Sequence, residues 1–299
     1  MSDLADLFPG FKSHWIDTEA GRIFARSGGS GPPLLLLHGF PQTHVEWHKI
    51  AAQLAEHFHV VAMDSRGYGW SSAPRSEKGE LYTKRQMGLD AVSVMEQLGH
   101  IRFHLAGHDR GARVGYRLAL DHPGRVSSLA VIDIIPTLNM WEAITTKRVN
   151  AEHWKFLSLP APEPEKVIGA DPIAYLENTL AAWTAEKDLS AFDDRALDHY
   201  LASFNDPSRI HAACEDYRAG ATLDLAYDKA DQAAGKKIEC PVLALWGDKG
   251  LPAAGHDPLA IWQAWATHVR GQAVPSGHFV PEENAEATAK ALISFFKGM

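Results

Sequence analysis

Phe103-His104-Leu105-Ala106-Gly107-His108-Asp109-Arg110-Gly111 runs from an apolar, strand-sized segment into a turn with glycine on either side of His-Asp-Arg. Helical spacing then continues to about Asp121. A strand that breaks sharply into a helix, with small residues at the bend and one reactive side chain at its tip, is the setting of a nucleophile elbow. The tip residue is Asp109, a carboxylate. The plainer reading is a Gly-flanked βα turn whose helix begins with an ordinary acidic residue, and five residues alone do not separate the two.

The surroundings supply the context. Leu34–Leu37, Val60–Met63 and Leu129–Ile132 are further continuous apolar runs, spaced by helical patterns. Such runs suggest strands buried on both faces, hence a mostly parallel sheet covered by helices. Tyr82–Leu98 carries Met87, Ala91, Val94, Met95 and Leu98 at helical spacing and stops at Gly99, a suitable C-cap. The alternation ceases at Pro136, and Trp- and Tyr-rich helical stretches follow, broken once by Leu159–Pro164. It resumes with a strand at Pro241–Trp246, a helix at Leu259–Trp265, a strand at Gly271–Val274 and an amphipathic helix at Ala285–Phe296. The expectation is an α/β core of residues 1–136 and 226–299 with an inserted helical cap at 137–225. The cap would cover the strands' C-terminal edge, where open α/β sheets bind ligands.

Three more stretches fall at telling places. His38-Gly39-Phe40-Pro41 follows the Leu-rich strand, Asp64-Ser65-Arg66-Gly67-Tyr68-Gly69 follows the next, and His278 lies between the last strand and the last helix. The order nucleophile, acid, histidine is that of one superfamily. On these motifs the chain resembles the α/β-hydrolases over essentially its whole length. The resemblance implies the α/β-hydrolase fold, with a mostly parallel central sheet, helices on both faces and a helical cap. Aspartate in place of the usual serine narrows it to haloalkane dehalogenases, epoxide hydrolases and fluoroacetate (haloacetate) dehalogenases. In these a carboxylate displaces a leaving group from carbon, and a histidine-activated water hydrolyses the resulting ester. A carboxylate needs no deprotonation to attack, and its ester can be cleaved back. Backbone N–H groups of Phe40 and Arg110 would stabilise the oxyanion of the second step.

Arg110 and Arg113 lie in the first turn after Asp109, where cations oppose the helix dipole. Two guanidiniums placed against a dipole suggest a bound anion, and their forks match a carboxylate. The plainer reading of Arg113 is a solvated face shared with Arg117. The resemblance is nearest to the fluoroacetate dehalogenases, whose pattern has Arg after the nucleophile and a second Arg three residues on. It implies that His153, Trp154 and Tyr217 donate hydrogen bonds to departing fluoride; for Trp154 and Tyr217 the plainer reading is core packing in the cap, the commonest fate of aromatics. The histidine-orienting acid is expected at Asp133. Many relatives carry it at the third residue beyond Gly247, but here that residue is Gly250, and Asp248 reads as a turn residue.

An epoxide hydrolase is the competing enzyme, since Tyr175, Tyr200 and Tyr217 could protonate an epoxide oxygen, although such enzymes usually carry Trp where Arg110 stands. A non-catalytic binding protein of the same fold need not keep Asp109, Asp133 and His278 together. Nothing calls for a metal or an organic cofactor. The net charge of −8 argues against nucleic-acid or anionic-membrane partners, and means that a small anion must be held by local cations. Cys214 and Cys240 read as reduced structural thiols. Met1–Gly10 shows no leader pattern and no apolar run is long enough to span a bilayer, so a cytoplasmic protein acting on a small halo-acid is expected. A homodimer is implied by resemblance only.

Overall fold

A computed structural model describes residues 4–298, so the first three residues of the Met1–Gly10 stretch lie outside it. In chain order the elements are β1 (Lys12–Thr18), β2 (Gly21–Gly28), β3 (Pro33–Leu37), α1 (His48–Ala55), β4 (His59–Met63), α2 (Lys84–Gln97), β5 (Phe103–His108), α3 (Asp109–Asp121) and β6 (Val126–Ile132). Seven helices follow without a strand: α4 (Thr137–Thr145), α5 (Glu152–Leu157), α6 (Glu163–Ala170), α7 (Pro172–Trp183), α8 (Asp194–Phe204), α9 (Pro207–Ala221) and α10 (Leu223–Ala233). The chain closes with β7 (Val242–Gly247), α11 (Pro258–Trp265), β8 (Val269–Val274), α12 (Val280–Glu283) and α13 (Ala285–Phe296).

The strands form one sheet in the order β1-β2-β4-β3-β5-β6-β7-β8. Only β2 runs antiparallel to its neighbours; β4-β3-β5-β6-β7-β8 are parallel. The apolar runs occupy the central strands, where Leu34–Leu37, Val60–Met63 and Leu129–Ile132 are buried. β1 and β2 escaped the sequence reading because their faces differ. Lys12, Ser13, Trp15 and Asp17 are exposed, so an edge hairpin shows no continuous apolar run. β8 is likewise half-exposed and starts at Val269, two residues before the apolar signal.

The cap boundary also shifts. Residues 225 and 226 lie inside α10, which continues to Ala233, so the cut expected there would divide a helix. Its buried Asp224 and Asp228 face partners in the core, and that polar inner face hid its helical period from hydrophobic patterning. Within the cap, α9 packs against α5, α6, α8 and α10, which makes it the central helix.

The sheet order places a topological switch between β3 and β5, because the chain leaves β3 toward β4 and returns on its other side as β5. A crevice opens beyond the carboxyl ends of strands at such a point. The loops after β3 and β5 meet closely there. A Cβ built on Gly111 would lie 2.3 Å from the Leu37 carbonyl oxygen and 2.5 Å from that of His38. Both are backbone atoms of a buried strand end and cannot swing aside. Gly111→Ala is therefore expected to destabilise the protein by about 2–3 kcal/mol, the upper range for an overpacked core. A urea denaturation midpoint equal to that of the wild type would contradict this close approach.

Candidate active site

Asp109 stands at the first position of α3 with φ +44°, a strained value for a non-glycine residue. The turn can hold it because Gly107 leaves room for the Gly111–Ala112 backbone and Gly111 for the Leu37 and His38 carbonyls. Gly39 faces it across the crevice: a Cβ there would sit 2.7 Å from the Asp109 Cβ. With that approach free, the Phe40 N–H donates to Asp109 Oδ1 at 3.0 Å. Burial opposes the charge on Asp109, but His278, Arg110, His108 and Arg113 together outweigh it and hold the carboxyl below its ordinary pKa.

His278 Nδ1 lies 2.6 Å from Asp133 Oδ2, and its Nε2, buried without a hydrogen-bond partner, is 3.9 Å from Asp109 Oδ2. Asp133 is itself at φ +51°, and its Oδ1 accepts the Gly247 N–H at 2.9 Å. A Cβ on Gly250 would fall 2.5 Å from that same oxygen, so the glycine leaves room for the Asp133 carboxylate. Asp248 is exposed in the turn and accepts from the Ser276 N–H at 3.1 Å.

A cavity of about 120 Å³ opens beside these groups, well below the several hundred Å³ of drug-sized sites. Asp109, Arg113, His153, Trp154, Trp183 and His278 line it, with Met140, Leu251 and Pro252 completing its apolar wall. Lys187 and Lys249 are exposed residues on the same lining.

The profile of the family described as alpha/beta hydrolase fold matches residues 32–285. The chain belongs to the α/β-hydrolase family. It is 43% identical to a fluoroacetate dehalogenase of a Burkholderia species, over 97% of this chain and 95% of that one. It is 31% identical to a soluble epoxide hydrolase of Corynebacterium sp. (strain C12), over 96% of this chain and 94% of the other. Among solved structures, a putative alpha/beta hydrolase from Nostoc sp PCC 7120 superposes with a TM-score of 0.90 at 49% identity, covering 96% of this chain and 98% of its own.

In this α/β-hydrolase the two arginines are not equivalent. Arg110 is taken up by Asp216 of the cap: Nε at 3.1 Å and Nη2 at 2.5 Å reach Oδ1, and Nη2 donates to the Asp216 carbonyl at 2.8 Å. Nη1 alone stays buried without a partner. Arg113 donates through Nη1 to the Ile135 carbonyl and Thr137 Oγ1, both at 3.1 Å, and lies 4.5 Å over the Trp154 ring. Its Nε is buried and unpartnered, and it lines the cavity directly. Arg117 does not share a solvated face with it; it is buried and ion-paired with Asp121, Asp228 and Asp231.

His153, Trp154 and Tyr217 come together from α5 and α9, with ring centroids 5.9 Å apart for Trp154–Tyr217 and 6.1 Å for His153–Tyr217. Tyr217 stacks under Arg110 at 4.2 Å. Among the described residues none of the three side chains has a protein hydrogen-bond partner, although Trp154 and Tyr217 are buried. His153 and Trp154 line the cavity, and polar tips left unsatisfied there are an invitation to a ligand. Sequence reasoning missed Asp216, which clamps Arg110, and Trp183, whose ring lies 4.5 Å from that of His153. Neither sits in a motif; only the folded cap brings them to the site. Among the described residues no group of three or more His, Cys, Asp or Glu side chains could hold a metal, and no helix is long and apolar enough to cross a membrane.

Burial drives the His153 pKa down to about 3, aided by His278, Arg110 and Arg113 and opposed only by Asp109. Its ring is therefore neutral at pH 7, able to donate from one nitrogen. The unfolded chain would bind a proton at this position below its ordinary pKa of 6.5, while the folded chain would not until about 3. Stability should thus fall as pH drops through that window, and His153→Gln should remove up to about 1.4 kcal/mol per pH unit of the slope. Parallel pH–stability curves for the wild type and the variant between pH 6.5 and 4 would contradict a neutral His153.

Proposed function

We propose that this enzyme hydrolyses a short 2-halo acid, fluoroacetate being the reference substrate, with Asp109 as nucleophile. The observation that carries the reading is the cavity itself. A carboxylate nucleophile shares about 120 Å³ with Arg113 and with the unpartnered donors His153 and Trp154, Tyr217 standing behind them. Such a volume suits a molecule of a few heavy atoms, and an acidic protein would not bury arginine against a nucleophile without an anion to hold. The 43% identity to a fluoroacetate dehalogenase supports the same choice.

In the first step Asp109 Oδ2 attacks the carbon bearing the halogen; the carbon–halogen bond breaks and the halide leaves with its electron pair. Arg113, with the free Nη1 of Arg110, holds the substrate carboxylate. His153, Trp154 and Tyr217 replace the water that fluoride loses, which matters for so strongly hydrated a leaving group. In the second step His278 Nε2 takes a proton from water, which adds to the carboxyl carbon of Asp109. The 3.9 Å between Nε2 and Asp109 Oδ2 leaves space for activation through that water rather than direct contact. Negative charge then gathers on Oδ1, where the Phe40 N–H already sits at 3.0 Å and the Arg110 N–H is the second donor. Collapse expels the product as an alkoxide, which takes the proton back from His278, and the Asp109 carboxylic acid so formed releases its proton to solvent to restore the nucleophile. Asp133 holds the ring's other nitrogen throughout.

An epoxide hydrolase reading shares Asp109, His278 and Asp133 and is favoured by the relative at 31% identity. Against it, Tyr200 Oη is committed to Glu282, Tyr217 lies under Arg110 and Tyr175 stacks on Phe204. The two readings part in one assay, release of fluoride and glycolate from fluoroacetate against diol formation from small epoxides.

Asp109→Asn should keep acid binding and lose at least about 10³-fold in turnover, comparable to removing a triad member. Fluoride release near the wild-type rate, with deamidation excluded by mass spectrometry, would refute the nucleophile. Arg113→Lys keeps the charge but loses the fork, and one charge-assisted hydrogen bond corresponds to about 10–100-fold in KM for the acid. An uncharged analogue should bind as before; an equal loss for both ligands would point to damage in α3 rather than to a carboxylate clamp.

A further inference from the structure

His108 ends β5 with its side chain fully buried, and its Nδ1 lies 3.0 Å from Oε1 of Glu46, which is equally buried. The contact is off the axis of a straight hydrogen bond, so it acts as an ion pair more than as a directed bond. Glu46 Oε2 accepts the Gly39 N–H at 2.8 Å. On the far side of the ring, Nε2 lies 2.8 Å from the His278 carbonyl oxygen.

Nε2 faces a carbonyl, which only accepts, and Nδ1 lies against a buried carboxylate, so the imidazolium, with hydrogen on each nitrogen, is the form that suits both contacts. Burial works against that charge, but Glu46, with Asp109 and Asp133, pushes the pKa up to about 9. Gly39 permits the approach, since a Cβ there would stand 2.9 Å from His108 Nδ1. The loop bearing Phe40, the elbow bearing Asp109 and the loop bearing His278 are thus pinned to one buried charge pair.

We propose that His108 and Glu46 are positioning residues for the hydrolytic half of the reaction. The inference rests on the roles given above to Asp109 and His278. The pair fixes the backbone that carries the Phe40 donor and the backbone that carries the general base, and both serve ester hydrolysis. The halide donors and Arg113 hang from the cap and α3, and the Asp109 elbow is also braced by the approach of Gly111 to the Leu37 and His38 carbonyls, so the groups of the displacement step have anchors apart from the pair. Loss of the pair should leave displacement close to normal and slow hydrolysis.

His108→Phe removes both contacts at similar bulk. With fluoroacetate it should release one equivalent of fluoride per site at a rate within about threefold of the wild type. Turnover should then fall by about 10²-fold, the effect of a small misplacement of reacting groups. Intact mass should show a carboxymethyl group retained on Asp109. Glu46→Gln can still accept from the Gly39 N–H while leaving His108 neutral and donating to His278, so it should recover most of the hydrolysis rate. A purely structural role would lower both steps together. Equal losses in the two steps, or unimpaired hydrolysis in His108→Phe, would overturn the proposal. If His108→Phe does not fold, Glu46→Ala, which removes both the Gly39 acceptor and the partner of His108, carries the test, and an unchanged ratio of the two steps in it overturns the proposal equally. Should wild-type protein release no halide but open small epoxides, the halo-acid reading fails while the same ratio is measured on the hydroxyalkyl ester of Asp109. Turnover of neither substrate would remove the role of Asp109 and this inference with it.

Discussion

The site depends on how closely the start of α3 lies against the end of β3. With Gly111 in van der Waals contact with the Leu37 and His38 carbonyls, the chain has no room to enter the helix gradually. Asp109 takes the positive φ that results, and its carboxylate is lifted to where Phe40 N–H meets it. The strain is sustained because the strands on either side are buried across both faces and cannot yield. The glycines at 39 and 111 are two views of one constraint, two chain segments occupying nearly the same space, while Gly107 leaves room for α3 to fold back on its own strand.

Electrostatics follows from that crowding. The protein as a whole is acidic, yet its nucleophile sits among Arg110, Arg113 and His108, all buried. Each cation needs its own counter-charge, and the structure assigns them separately: Asp216 to Arg110, Glu46 to His108, backbone and hydroxyl oxygens to Arg113. Arg113 is the one without a carboxylate partner, which leaves its field for the cavity. Asp216 adjoins Tyr217 on α9, so the residue that restrains Arg110 also fixes the tyrosine stacked on it.

Much of this was legible in the sequence, for physical reasons. Strands buried on both faces leave uninterrupted apolar runs, and a strained turn leaves glycines, so the core strands and the elbow could be read directly. Asp133 could be preferred over Asp248 because Gly250 had vacated the other position; the structure adds that residue 250 and the Asp133 carboxylate compete for one volume. Strands exposed on one face were missed, as was the true end of α10, whose inward carboxylates hide its period. Partner assignments among buried charges were also illegible. Thr43-x-x-Glu46 has the spacing of a helix-start capping box, in which Glu46 would simply serve its own helix. Only in three dimensions does its carboxylate turn to Gly39 and His108.

The His278 N–H donates to the Trp183 carbonyl at 2.9 Å, and Gly277 lies so near that strand of backbone that a Cβ would fall 2.4 Å from the Ala185 nitrogen. Glu283 Oε2 accepts from both Gly277 N–H and Ala185 N–H, stitching cap and base loop a second time. A cap that swung away as a rigid flap would drag the general base off its aspartate. One wall of the cavity, at the end of α7, and the loop that carries its base are therefore coupled through the same few backbone contacts.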